Sequence, residues 1–585
     1  MVFMNEKKEI VFNGVAASHG IVIGKVFYYK VDYGNIIEYT IDPEFVDKEV
    51  ERLKEAVLKS EKEINKILRF AKEKLPFQQI NIFEAELMMI SDQYFLDGIY
   101  KRIAKEKKNA DYILSDELGK YQTIMANTAK DEYLRQRSSD IEDIKNRIIK
   151  NLNLQRLSSK ILGSVIIVSK RLSPADTVLF SKNDILGYAT DLGGYTSHSA
   201  ILSRSLNIPC VVGLKKITES ILDDSMAILD GYSGTVILNP SEATQIKYLE
   251  KRDRLKKIEE TLLETTKFPS ITKDNKKLNV SSNVDFIYEI DFLLKQDASG
   301  IGLFRTEQLV ISETEFPSEE DQYKIYYEIA EKIYPKKVTF RTFDIGGDKL
   351  LPVAFQEKNL FLGWRGIRIC LDKPEMFLDQ LRAILRVSSL GNTKIMFPMI
   401  SSIEELRKAK KYLKDVMKEF DAKEIPYDKN IEIGVMIEVP SVALLTDRIA
   451  KEVDFLSIGT NDLIQYFLAV DRGNVLVSHL YQKFDISILR ILKFIISESH
   501  KLGKPVSMCG EMAGDPLATI VLVGLGLDEF SVVPTIIPKI KKIIQSITYE
   551  ESKEIVEKVL NMDNSSDIKS FLENIIKEKC PDIIY

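Results

Sequence analysis

The sequence predicts a multidomain α/β protein: an α/β domain interrupted by a helical bundle, followed by a (β/α)8 barrel. Three observations predict it. Short apolar runs around Gly14, Gly20 and Gly24 open the chain in the alternating pattern of strands joined by tight turns. From about Pro43 the period becomes that of amphipathic helices, with Val46, Val50, Leu53, Val57 and Ile64 on one face. Beyond about residue 270, strand-like runs alternate repeatedly with helical stretches.

Taken in order, EIVFNGVAASHGIVIGKVFYYK supplies the first strands, and the helical segments that follow end near Leu154. Strand-like runs return at SVIIVSK and alternate with short helices up to TVILNP near Pro240. The early and late strands are expected to make one α/β domain, residues 1–42 and 155–244, with the bundle, residues 43–154, inserted in it. TQIKYLEKRDRLKKIEETLLETT is charged, has few apolar residues for a core of its own, and reads as a helical linker over 245–269. The runs LNVSSNVDF, GIGLFRTE, KVTFRTFD, TKIMFPM, IEIGVMIEV, DFLSIGTNDL, PVSMCGE and LDEFSVVP assign 270–585 to the barrel, whose usual size is about 250 residues.

The 585 residues carry 82 Lys+Arg against 87 Asp+Glu, a net charge of −5. Such a balance has no nucleic-acid footprint, so the expected partners are small anions or proteins. With 45% hydrophobic and 29% charged residues, disordered, collagen-like and low-complexity classes are excluded. Cys210, Cys370, Cys509 and Cys580 stand far apart without CxxC spacing, which indicates neither a disulfide framework nor structural zinc. No run of 18 apolar residues occurs, and MVFMNEKKEIVF lacks the apolar stretch of a leader. A soluble, unexported, cytoplasmic protein without membrane insertion is expected.

In a (β/α)8 barrel the reacting groups come from the carboxyl ends of the strands and the loops after them. The second run ends in Arg305, Thr306 and Glu307, and the third holds Arg341 followed by Asp344, Asp348 and Lys349. The fifth ends at Glu438, the sixth at Asn461 and Asp462, and the seventh at Cys509 and Glu511; Arg365 and Arg472 lie in loops able to reach the same mouth. Guanidinium binds phosphate or carboxylate through two parallel hydrogen bonds, so several arginines around one mouth suit a small phosphorylated acid. Any one of them alone would as readily be a rim ion pair; their common placement carries the reading. Glu438, in the apolar context GVMIEVPS, and Asp462 supply hard oxygen ligands for Mg²⁺, and Mn²⁺ tolerates the same set. By residue type Cys509 is a nucleophile, an acid or a small buried side chain; at the end of the seventh strand it is read as a general acid for a developing carbanion.

His198 follows a Gly-Gly turn and precedes the helical pattern AILSRSL, which places its ring near a helix amino terminus. Unpaired amides and the helix dipole there would stabilise a phosphoryl group on the ring. Neutral imidazole is a competent nucleophile near neutral pH. His19, His479 and His500 have no comparable setting, and no catalytic role is assigned to them.

These residues carry a family resemblance. GGYTSHSAILSRSLNIPCVVG resembles the phosphohistidine signature of enzyme I of the bacterial phosphoenolpyruvate-dependent sugar phosphotransferase system. IGLFRTE, FRTFDIGGDK, FLGWRGIR, GVMIEVPS, LSIGTNDLIQY, AVDRGN and SMCGEMAG are similar to its barrel signatures, and the likeness runs from GVAASHGIVIGKV to the end of the barrel. The resemblance implies a swivelling phosphohistidine domain and a phosphoenolpyruvate-binding barrel. It implies that His198 accepts phosphate from phosphoenolpyruvate and passes it to a histidine of the carrier protein HPr. Arg305 and Arg341 match residues that hold substrate phosphate, Arg472 and Asn461 further substrate contacts, and Arg365 another active-site arginine. Glu438 and Asp462 match Mg²⁺ ligands, Cys509 the acid that protonates enolpyruvate, and Thr177 a hydroxyl that helps position the histidine; Lys349 is a supporting residue. The bundle matches an HPr-binding insertion and the barrel a homodimerisation region.

Departures occur at His19, Tyr195 and Leu360 and in the stretch 481–492, where family members commonly carry other residues; none removes a residue given a chemical role. A dikinase or phosphoenolpyruvate-synthase relative would carry a nucleotide-binding domain ahead of the histidine domain, which is read here close to the amino terminus. A catalytically silent regulator binding HPr or phosphoenolpyruvate is the other alternative, and the presence of both His198 and Cys509 weighs against it.

Overall fold

The alternating apolar residues near the amino terminus form β1 (Ile10–Asn13), β2 (Val15–Ser18) and β3 (Ile21–Tyr28). The structure, a computed structural model, describes the chain outside residues 1–7, 31–35, 75–76, 129–131, 154–163, 195–196, 222–224, 288, 312–315, 347–360, 473, 475, 582 and 584–585. It divides into two units, residues 1–255 and 256–585.

In the first unit, five α-helices among the described residues separate β3 from β4 (Val165–Ser169): α1 (Val46–Lys74), α2 (Phe77–Ile90), α3 (Gln93–Glu106), α4 (Ala110–Thr128) and α5 (Glu132–Leu152). The spacing read from the sequence brings Leu53, Val57 and Ile64 of α1 onto one buried face against Phe83, Ile99, Ile113 and Ile148. Beyond β4 come α6 (Pro174–Phe180), β5 (Ile185–Thr190), α7 (His198–Ser205), β6 (Cys210–Val212), β7 (Met226–Asp230) and β8 (Thr235–Leu238). The eight strands make one sheet in the order β1-β8-β7-β3-β4-β5-β6-β2. Its centre, β3-β4-β5-β6, is parallel. Accordingly β4 reads VIIVS and is buried throughout, as a strand covered on both faces must be. Ala175 and Val178 of α6 and Leu202 of α7 join the core of the helical insertion, so the bundle braces the helix that begins at His198.

Helix α8 (Glu242–Thr266) carries the chain past the division between the units. Eight parallel strands then close a barrel: β9 (Asn279–Val284), β10 (Gly300–Arg305), β11 (Lys337–Arg341), β12 (Thr393–Phe397), β13 (Glu432–Ile437), β14 (Phe455–Ile458), β15 (Val506–Met508) and β16 (Glu529–Val532). Each of the eight strand-like runs in the sequence supplies one of them. A layer of Leu303, Met396, Met436, Phe455 and Cys509 fills the barrel interior. No helix among the described residues is long and apolar enough to cross a membrane.

Candidate active site

Parallel strands of one barrel all end on the same rim, and that topology gathers side chains scattered over two hundred positions. Arg305 and Arg341 are the last residues of β10 and β11, Glu438 follows β13, and Cys509 follows β15. Asn461 and Asp462 stand in the first turn of the helix Thr460–Phe467 rather than on β14 itself. All six, with Arg365 and Arg472, line one cleft of about 380 Å³. Lys349, which the sequence adds as a supporting residue, lies outside the described residues, as do Tyr195 and Leu360.

The floor of the cleft is a chain of buried ion pairs. Arg341 Nη2 donates to Glu307 Oε1 at 2.9 Å, and the same oxygen accepts the Asp344 amide at 2.8 Å. Arg365 Nη2 donates to both Asp344 oxygens and, at 3.1 Å, to Asp462 Oδ2. Burial alone would push both guanidinium groups down. For Arg341, the charges of Glu307, Asp344 and Glu438 outweigh it, and for Arg365 those of Asp344 and Asp462 do; both rise above the ordinary arginine value. Tyr466 completes the frame: its hydroxyl donates to the Phe361 carbonyl at 2.6 Å and accepts from Arg365 Nη1 at 3.2 Å.

Glu438 is 2% exposed. One carboxylate oxygen accepts the Met399 amide at 2.6 Å, and the other lies where a Cβ on Gly459 would come within 2.8 Å, so glycine at 459 leaves it room. Burial, then the charges of Asp462 and Asp344, push its carboxyl up to about 8 against the opposing arginines. Such an excess of negative charge is what a divalent cation relieves, and the donor set of Glu438 and Asp462 fits a hard one. No group of three or more such ligands gathers among the described residues.

Cys509 is buried, one of the readings its residue type allowed, and it also lines the cleft. Burial raises its thiol above the ordinary value, with the Ser457 hydroxyl and Arg341 pulling the other way, so the proton stays on sulfur at neutral pH.

The upper wall is more exposed. Arg305 is held by Asp285 at 3.3 Å. Asn461 and Glu511 exchange two hydrogen bonds, the Glu511 amide donating to Asn461 Oδ1 at 2.8 Å and Asn461 Nδ2 to Glu511 Oε1 at 3.2 Å. Arg472 reaches that same carboxylate at 3.5 Å.

In the first unit His198 is the first residue of α7, as its Gly-Gly and AILSRSL context predicts. Its ring is half-buried at the end where backbone amides point outward. Thr177 is fully buried on α6; its hydroxyl donates to the Ser173 carbonyl at 2.9 Å and its carbonyl accepts the Tyr188 hydroxyl at 3.0 Å. His19 stacks on Tyr232, with ring centroids 5.0 Å apart.

Glu307, Asp344, Met399 and Tyr466 are site residues to which the sequence assigned nothing. Glu307 and Asp344 sit two or three positions from an arginine inside the same motifs, and Tyr466 lies one helical turn from Asp462, so spacing held a signal for three of the four.

Models of the phosphoenolpyruvate-utilising enzymes match the chain in three parts: the N-terminal domain over residues 13–137, the mobile domain over 162–234 and the phosphoenolpyruvate-binding domain over 259–549. Fold and site thus define a protein of the phosphoenolpyruvate-utilising class. A phosphoenolpyruvate-protein phosphotransferase of Geobacillus stearothermophilus is 39% identical over 97% of this chain and 99% of its own. Those of Staphylococcus carnosus (strain TM300) and Buchnera aphidicola subsp. Schizaphis graminum (strain Sg) are each 40% identical over 96% of this chain, and over 99% and 100% of their own. The chain belongs to the phosphoenolpyruvate-protein phosphotransferase family.

Proposed function

We propose that this enzyme moves the phosphoryl group of phosphoenolpyruvate to a ring nitrogen of His198 and from there to a histidine of HPr, the first step of sugar uptake by the phosphotransferase system. One observation carries the reading: Arg341 and Arg365 share a buried cleft with Glu438 and Asp462, a charge pattern suited to a phosphorylated acid bound with a cation.

Arg305 and Arg341 bind the phosphate, while Arg472 and Asn461 orient the rest of the substrate, with Arg365 keeping Asp462 in place. Mg²⁺, or Mn²⁺ in its stead, would be held by Glu438 and Asp462 and would neutralise substrate oxygens. The ring nitrogen of His198 attacks phosphorus in line; as the N–P bond forms, the P–O bond breaks and its electron pair leaves on the enol oxygen. Cys509 then gives its thiol proton to the methylene carbon of the resulting enolate, which yields pyruvate, and the thiolate regains a proton from water. Thr177 supports the histidine through the frame of α6, and Lys349 is a further supporting residue. Because one histidine serves two partners, the α/β domain swivels between them.

The helical insertion docks HPr, and the barrel pairs two chains into a homodimer in the cytoplasm. Incubation with phosphoenolpyruvate and Mg²⁺, followed by intact mass at mildly alkaline pH, tests the reading. An acid-labile adduct on wild type, absent from His198→Ala and passed on to HPr, is expected. Binding of phosphoenolpyruvate without any adduct would instead identify a silent sensor.

A further inference from the structure

Beside Cys509 a hydrogen-bonded chain of buried side chains links strands of the barrel. Asn283 Nδ2, at the end of β9, donates to the Cys509 carbonyl at 2.9 Å. β9 is not a neighbour of β15 in the closed barrel; β16 lies between them, so this side chain spans a whole strand. A carbonyl only accepts, which fixes the amide of Asn283 with its nitrogen toward Cys509 and its oxygen away. That oxygen accepts the Ser531 hydroxyl from β16 at 2.7 Å. Ser531 is fully buried and Asn283 nearly so. The chain also dictates a residue on a third strand: a Cβ on Gly302 of β10 would fall 2.5 Å from Ser531 Oγ, so only glycine leaves the hydroxyl its place. On its other side, Cys509 donates its amide to the Ile458 carbonyl at 3.1 Å.

We propose that Asn283, oriented by Ser531, is a positioning residue for the Cys509 acid, clamping the Cys509 carbonyl so that the thiol faces the substrate's methylene carbon. The proposal rests on the acid role given to Cys509 above. Gly510 follows directly, and glycine brings the fewest steric restraints to a peptide, so an external clamp matters here more than elsewhere on a strand end. Proton transfer depends steeply on the reach and aim of the donor. Asn283 touches no reacting atom and acts only through Cys509.

A double-mutant cycle on the full-length enzyme, assayed with Mg²⁺, phosphoenolpyruvate and HPr, tests this. Asn283→Ala should lower kcat about tenfold to hundredfold with KM for phosphoenolpyruvate nearly unchanged. Ser531→Ala, which deletes a single hydroxyl, should act in the same direction with a smaller effect and carries the test if Asn283→Ala does not fold. In a Cys509→Ala background neither substitution should lower kcat further, because the group they aim is gone. Effects that multiply with that of Cys509→Ala, or wild-type kcat in both single variants, would overturn the positioning role while leaving the acid reading intact. Wild-type kcat in Cys509→Ala alone would overturn the acid reading, and the positioning role with it.

Discussion

Arg365 donates through Nη2 to Asp462 Oδ2 at 3.1 Å, tying the loop after the third barrel strand to the helix after the sixth. The same nitrogen holds Asp344, so one guanidinium balances two buried carboxylates and sets the face that Asp462 turns to the cleft. The ion pair belongs to the frame of the site.

Removing that guanidinium strands both carboxylates in a low dielectric. Arg365→Ala should therefore destabilise the barrel by about 3–5 kcal/mol, read as a lowered denaturant midpoint. Arg472→Ala removes an exposed charge bound to Glu511 at 3.5 Å and should leave the midpoint nearly unchanged while raising KM. Equal stability losses in the two variants would contradict this division of the arginines.

Glu438 carries a stability penalty when no cation is bound. Its carboxyl is raised to about 8 from 4.5, so its favourable contribution is complete below about pH 4.5 and is lost as pH rises toward 8. Glu438→Gln removes the penalty: the metal-free protein should gain about 2–3 kcal/mol near pH 7, the gain vanishing near pH 4.5, while Mg²⁺-dependent turnover collapses. Thermal unfolding in EDTA across this pH range measures it. No gain at pH 7 would mean that the arginines already neutralise the carboxylate.

An acid must hold its proton until it is needed. Burial raises the Cys509 thiol, so its alkylation by iodoacetamide, followed on the Cys509 peptide by mass spectrometry, should stay slow at pH 8 and accelerate only above pH 9. A rate already at its plateau below pH 8 would point to a stabilised thiolate and count against the acid role.

The Tyr466 hydroxyl serves Arg365 and the Phe361 carbonyl at once. Tyr466→Phe keeps the ring and loses both bonds; a cost of about 1–3 kcal/mol in stability is expected, with a several-fold rise in KM because Arg365 loses one of its anchors. Unchanged KM with lowered stability would confine Tyr466 to holding the loop.

Much of this was legible in the residues. Periodicity located the inserted bundle and all eight barrel strands, because helix and strand bury apolar faces at different spacings. The GGYTSHSAI context places His198 at a helix start, and the strand-end rule gathers Glu438, Cys509 and the arginines. Glu307 and Asp344 stand at strand ends without a role the sequence can assign, since nothing local distinguishes a carboxylate that binds a cation from one that holds an arginine. Asn283 was invisible as a site residue: its partners Cys509 and Ser531 are more than two hundred positions away.

By itself, then, the sequence determined the elements, their order and the chemical types available at each strand end, because local propensity and period are written in neighbouring residues. Only the tertiary structure decided which charges pair, which carboxylate is left in excess and what holds the Cys509 carbonyl. Barrel closure brings side chains from distant strands within 3 Å of one another, and interactions at that range depend on distance and burial, which no linear spacing encodes.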